Sequence, residues 1–99
     1  MEAHYQNIAE IVSAACPQNS TKAWVIAEVK DDWSKQQIWC ESNNGKIQPD
    51  VEAFEVSKIG DALRGIRTQM TIPGQTPWSR CTFTLFPDGK FKFDVEYDD

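Results

Sequence analysis

Residues 80–96 read RCTFTLFPDGKFKFDVE, two alternating runs around one turn, and the register of that turn decides the fold. If Asp88 and Gly89 alone formed the turn, Phe86 would face Phe91 and Thr84 would face Phe93, mixing polar and apolar residues on both sides. A three-residue loop, Pro87-Asp88-Gly89, avoids this: proline suits the second turn position and glycine the left-handed bulge. Leu85 then meets Phe91, Phe83 meets Phe93, and Cys81 meets Val95. That face is wholly apolar and is expected to turn inward, with Phe83 and Phe93 opposed in the core. The other face pairs Thr84 with Lys92, Thr82 with Asp94 and Arg80 with Glu96, the last an opposite-charge cross-strand pair.

Working outward, TKAWVIAEVK (21–30) is rich in strand formers and alternates Ala23, Val25, Ala27 and Val29 against Trp24, Ile26 and Glu28. After the polar turn DDWSK, the stretch QQIWCES places Ile38 and Cys40 on one side and Gln37, Trp39 and Glu41 on the other. The breaker NNGK ends this first hairpin. Before it, Tyr5, Ile8, Val12 and Ala15 recur at helical spacing and Pro17 blocks continuation, predicting a helix over 2–16. A second helix is expected from Asp50, as its cap, to Met70, with Val51, Phe54, Ile59, Leu63, Ile66 and Met70 as its stripe. Gly60 and Gly65 each weaken it by roughly 1 kcal/mol relative to alanine, so burial must supply the deficit.

The order is therefore α-β-β-α-β-β: an α+β fold with a four-stranded antiparallel sheet and two helices packed on one face, in one domain spanning 1–99. Helices covering one side leave the other to water or a partner. Trp24, Ile26 and Trp39 are the apolar residues of that open side.

The 99 residues carry a net charge of −5, which removes long-range attraction to nucleic acid and favours a basic partner. No apolar run approaches the roughly 20 residues of a membrane span. Cys16, Cys40 and Cys81 are odd in number, show no metal-ligand spacing and follow no secretory leader, so reduced thiols in a cytoplasmic protein are expected. Cys40 and Cys81 fall at inward strand positions, as small core residues. A Mg²⁺ site on Asp88, Asp94 and Glu96 lacks a convergent third ligand. His4, the single histidine, leaves no material for a zinc site or a nucleophilic triad. No cofactor, metal or catalytic residue is expected.

The element order, with Trp78, Leu85, Asp88-Gly89-Lys90-Phe91 and the ending Tyr97-Asp98-Asp99, resembles the YezG-like immunity proteins. The likeness is densest over 78–99, with weaker similarity over 24–29 and at the Asn-Gly-Lys that ends the first hairpin. The resemblance implies a small cytoplasmic antitoxin that binds a cognate toxin domain, often a nuclease, and has no catalytic residues of its own.

Candidate partner-binding residues fall into two groups. The closing acids Asp94, Glu96, Asp98 and Asp99, with Glu28, Asp31, Asp32 and Glu41 of the first hairpin, can meet a basic surface. Trp24, Trp33 and Trp39 can act as interface anchors, whereas Trp78 is read as structural. The first hairpin and the final strand are expected to dock the partner, and the helices to be committed to the core. A different class of function, a small ligand-binding or adaptor domain, would use the Trp-lined face as a concave pocket.

Overall fold

In the computed structural model, which describes residues 2–97, the elements run α1 (Glu2–Ala15), β1 (Lys22–Val29), β2 (Ser34–Ser42), β3 (Gly45–Ile47), α2 (Ala53–Met70), β4 (Arg80–Leu85) and β5 (Phe91–Glu96). The α+β class and the two-helix layer are as expected. The sheet has five strands rather than four, in the order β3-β2-β1-β4-β5 with antiparallel neighbours throughout. The extra strand comes from NNGK, which does not end the hairpin: Asn43 and Asn44 make a turn, and Gly45, at φ 115°, lets the chain double back so that Lys46 pairs with Glu41 and Ile47 with Cys40.

The last hairpin takes the register read from its pattern, Leu85 to Phe91 through Arg80 to Glu96. Its loop is closed by Gly89 N–H donating to the Phe86 carbonyl (3.0 Å) and Phe86 N–H donating to the Lys90 carbonyl (2.9 Å), with Gly89 at φ 86°. The other central strand, β1, lies between β2 and β4 and is fully buried on its inward side at Val25 and Val29.

Ile8 and Val12 of α1 and Ile59, Leu63 and Ile66 of α2 cover these strands, joined by Phe83 and Trp78 in one cluster. Trp78 is almost wholly buried, meets Phe93 edge-on (5.7 Å, 74°), and its carbonyl accepts from Arg67 Nε (2.7 Å). It is a structural residue, as its place before β4 suggests. Phe83 is fully buried, but Phe93, on the edge strand, is only partly so. The two positions expected to be equivalent therefore differ, because an edge strand has core on one flank only.

Two expectations for α2 are corrected, and the expected compensation for its glycines takes a specific form. The helix begins at Ala53, not Asp50; Glu52 occupies the cap position with extended backbone (φ −61°, ψ 143°) and no side-chain cap bond. Phe54 is not in the core stripe but is 64 % exposed, with the Lys58 ammonium 4.3 Å from its ring centre. Gly60 and Gly65 are not only weak points. A Cβ at Gly60 would lie 2.5 Å from Ser34 Oγ and 2.8 Å from Gln36 Nε2, and one at Gly65 would lie 2.6 Å from His4 Nε2. Missing side chains let the helix settle against β2 and α1. Close approach replaces what helix propensity loses.

The cysteine expectation is also corrected. Cys16, after α1, and Cys40, on β2, are joined in a disulfide (Cα–Cα 5.9 Å), and Cys81 alone is free. Both Cys40 and Cys81 are buried inward, as read. Nothing in their spacing marks the pair; the fold brings the residue after α1 beside β2.

Candidate functional site

The face of the sheet away from the helices is a grid whose rows follow from the strand registers. One row runs Trp39, Trp24, Thr84, Lys92; the next Gln37, Ile26, Thr82, Asp94; the third Lys35, Glu28, Arg80, Glu96. Strand alternation dictates this: every second residue of β1, β2, β4 and β5 points away from the core. At its centre the indoles of Trp24 and Trp39 stack (6.4 Å, 13°), both half-buried, and Ile26 beside them is 46 % exposed. The ammonium groups of Lys22 and Lys46 lie 5.4 and 5.6 Å from the Trp24 ring. These lysines were not among the residues singled out from sequence, yet both flank the aromatic centre.

The acids expected to form a negative surface are interleaved with bases. Glu41 pairs with Lys22 (3.9 Å), Asp94 with Lys92 (3.7 Å) and Glu96 with Arg80 (3.9 Å), while Glu28 stands between Lys35 and Arg80 in register. Each of these acids thus has a basic neighbour, and the open face has no net negative character. Such exposed pairs contribute about 0 to 1 kcal/mol each, so they shape a polar rim more than they hold the sheet. Asp31 points elsewhere: its carboxylate accepts from Arg67 Nη1 (2.6 Å), and since Arg67 also holds the Trp78 carbonyl, the β1–β2 turn is tied to α2. Asp32 and Trp33 occupy that same turn, closed by Lys30 N–H donating to the Trp33 carbonyl (2.8 Å), with Trp33 44 % exposed. Asp98 and Asp99 lie outside the described residues.

Negative charge gathers instead on the helix layer, contrary to the expectation that the helices are committed to the core. Glu10, Asp50, Glu52, Glu55 and Asp61 border a groove of about 900 Å³ between α1 and the start of α2, floored by Ile11, Ala14, Val51 and Ala62. Lys58 pairs with Glu55 (3.7 Å) and Arg64 with Asp61. A second concavity, of about 870 Å³, lies between α1 and the last hairpin's turn, where Phe86 and Phe91 are exposed. The tryptophans line neither.

Among the described residues, no group of three or more His, Cys, Asp and Glu is placed to hold a metal ion. The Cys81 thiol is pushed up to about 12 by burial, so it stays protonated and is no nucleophile near neutrality. The Tyr5 hydroxyl is also raised, chiefly by burial and then by Cys81. No described helix is long and apolar enough to cross a membrane. No protein-family model matches the chain, and no curated protein matches it significantly in sequence.

Proposed function

We propose that the protein is an immunity protein: it binds a cognate bacterial toxin domain, a basic nuclease by the resemblance of its last hairpin, and neutralises it by stoichiometric complex formation in the cytoplasm. The observation that carries this reading is the uncovered sheet face, with a stacked, half-exposed tryptophan pair and Ile26 at its centre and alternating charges around it. An aromatic centre that a partner can desolvate, bounded by a polar rim, is how tight protein interfaces are built. Trp24, Trp39 and Trp33 are the proposed anchors. Glu28, Glu41, Asp94 and Glu96 set the register with the partner's bases, and the overall negative charge steers encounter. The small-ligand alternative would require a cavity at the tryptophans, and neither of the two grooves described above is lined by them.

The test is co-expression with the neighbouring reading frame, scored for toxicity of that frame alone, rescue of growth and a co-purifying complex. Trp39→Ala is then expected to raise the dissociation rate by at least about tenfold, the effect of an interface hot spot. Reversing Glu28, Glu41, Asp94 and Glu96 to lysine is expected to slow association and flatten its salt dependence. A complex indifferent to Trp24, Trp39 and these acids, but abolished by reversing Glu10, Glu52 and Asp61, would move the docking site to the helix groove and sink the sheet-face reading.

A further inference from the structure

β5 is an edge strand: its neighbour within the described residues is β4, on one side only. Which of its backbone groups face outward follows from the ladder. Phe86 N–H donates to the Lys90 carbonyl, so the even-numbered residues of β5, opposed to Thr84, Thr82 and Arg80, turn their N–H and C=O groups toward β4. Those of Phe91, Phe93 and Val95 therefore point away from the sheet. Phe91 is also 45 % exposed, and Phe93 and Val95 are only partly covered. An exposed edge of this kind is a template for another strand.

The side chains of β5 specify which strand. Laid antiparallel against a second copy of itself about a two-fold axis through Phe93, the strand opposes Phe93 to Phe93, Phe91 to Val95, Lys92 to Asp94 and Lys90 to Glu96. In that register the residues with outward backbone groups face one another and can exchange both hydrogen bonds. Apolar side chains meet apolar ones on the inward face, and every charged residue meets its opposite on the other. Moving the axis by one residue destroys the match: centring on Lys92 opposes lysine to lysine, and centring on Asp94 opposes aspartate to aspartate. Like charges directly opposed across strands are unfavourable.

We infer that the protein forms a two-fold dimer through β5, joining two five-stranded sheets into one, with Lys90, Lys92, Asp94 and Glu96 of each copy selecting the register. The interface is isologous and closes on itself, so assembly stops at two. The edge charges that usually repel foreign strands here admit one, a copy of the same chain. The two open faces then lie on the same side of a continuous sheet. The inference is independent of the toxin-binding reading, and the protein alone tests it.

Sedimentation across micromolar to millimolar protein should show a monomer–dimer equilibrium. Lys92→Asp and Asp94→Lys, taken singly, each turn two symmetry-related attractive pairs repulsive and should weaken dimerisation by about tenfold or more. The double exchange Lys92→Asp/Asp94→Lys restores both pairs and should restore the dimer. Amide exchange of the unaltered protein supplies a readout that needs no variant. The amides of Phe91, Phe93 and Val95 should gain protection as concentration rises, while those of Lys92 and Asp94, already bonded to β4, should not change. A monomer at every concentration would overturn the inference, as would a dimer indifferent to the single reversals or one whose added protection falls outside β5.

Discussion

Replacing Gly60 by alanine sets helix propensity against packing, and the structure decides the sign. In an exposed helix interior the exchange stabilises by about 1 kcal/mol. At Gly60 the new methyl would sit 2.5 Å from Ser34 Oγ and 2.8 Å from Gln36 Nε2, so both side chains must move. Each is engaged: Arg64 Nη1 donates to Ser34 Oγ (2.8 Å), and Gln36 Nε2 donates to the Val56 carbonyl (2.8 Å). Losing two such bonds costs about 1 to 3 kcal/mol, the serine being the harder to displace because its side chain is short. The net expectation is a destabilisation of about 1 kcal/mol, read as a lower urea midpoint at unchanged slope. In a Ser34→Ala background the nearest clashing atom is gone, and Gly60→Ala should cost less than it does in the unaltered protein. If Gly60→Ala instead raises stability by about 1 kcal/mol, the helix does not approach β2 as closely as these contacts require, and the argument for the glycine fails.

Phe83→Ala should cost about 3 to 5 kcal/mol and Phe93→Ala roughly half that, because only the former is fully buried; equal losses in denaturant titrations would contradict the placement of β5 at the sheet edge. Reducing the Cys16–Cys40 disulfide, which spans a sequence separation of 24, should lower stability by about 3 kcal/mol in the chain-entropy account, and an unchanged midpoint in reductant would refute it. A reducing cytoplasm would hold that pair open, so the proposed function further requires that the reduced chain still folds. Burial holds the Cys81 thiol at about 12 against an ordinary 9.0, so the folded state keeps a proton that the unfolded chain releases. Its contribution is therefore complete below about pH 9 and lost as pH rises toward 12. Cys81 should react with alkylating agents only as fast as the protein opens, and rapid labelling under native conditions would show it to be accessible.

Much of the fold was legible because its signals are local. The period-two pattern of 80–96, with Pro87 and Gly89 at turn positions, dictated the register of the last hairpin residue by residue, since a one-residue slip would have mixed polar and apolar residues on both faces. The same alternation placed Trp24, Ile26 and Trp39 on the uncovered face, and Pro17 ended α1 where proline must. What failed at α2 were inferences that residue type and a loose period cannot settle. Asp50 is a cap candidate by residue type, but the path of the chain into the helix decides capping, and the helix begins three residues later. Phe54 satisfied the helical period loosely and fell outside the buried arc.

For the candidate site, the sequence alone determined which side chains share the open face, because strand alternation is a property of the chain and needs no knowledge of its neighbours. Tertiary structure decided what surrounds them. Only strand order brings Lys46 over Trp24 and sets Arg80 beside Glu28, turning a row of acids into a balanced mosaic. Only helix packing gathers Glu10, Asp50, Glu52, Glu55 and Asp61 into one groove, and only the fold carries Cys16 to Cys40. Charge and disulfide pairing act across space over a few ångströms, and sequence separation does not encode such distances until the chain has folded.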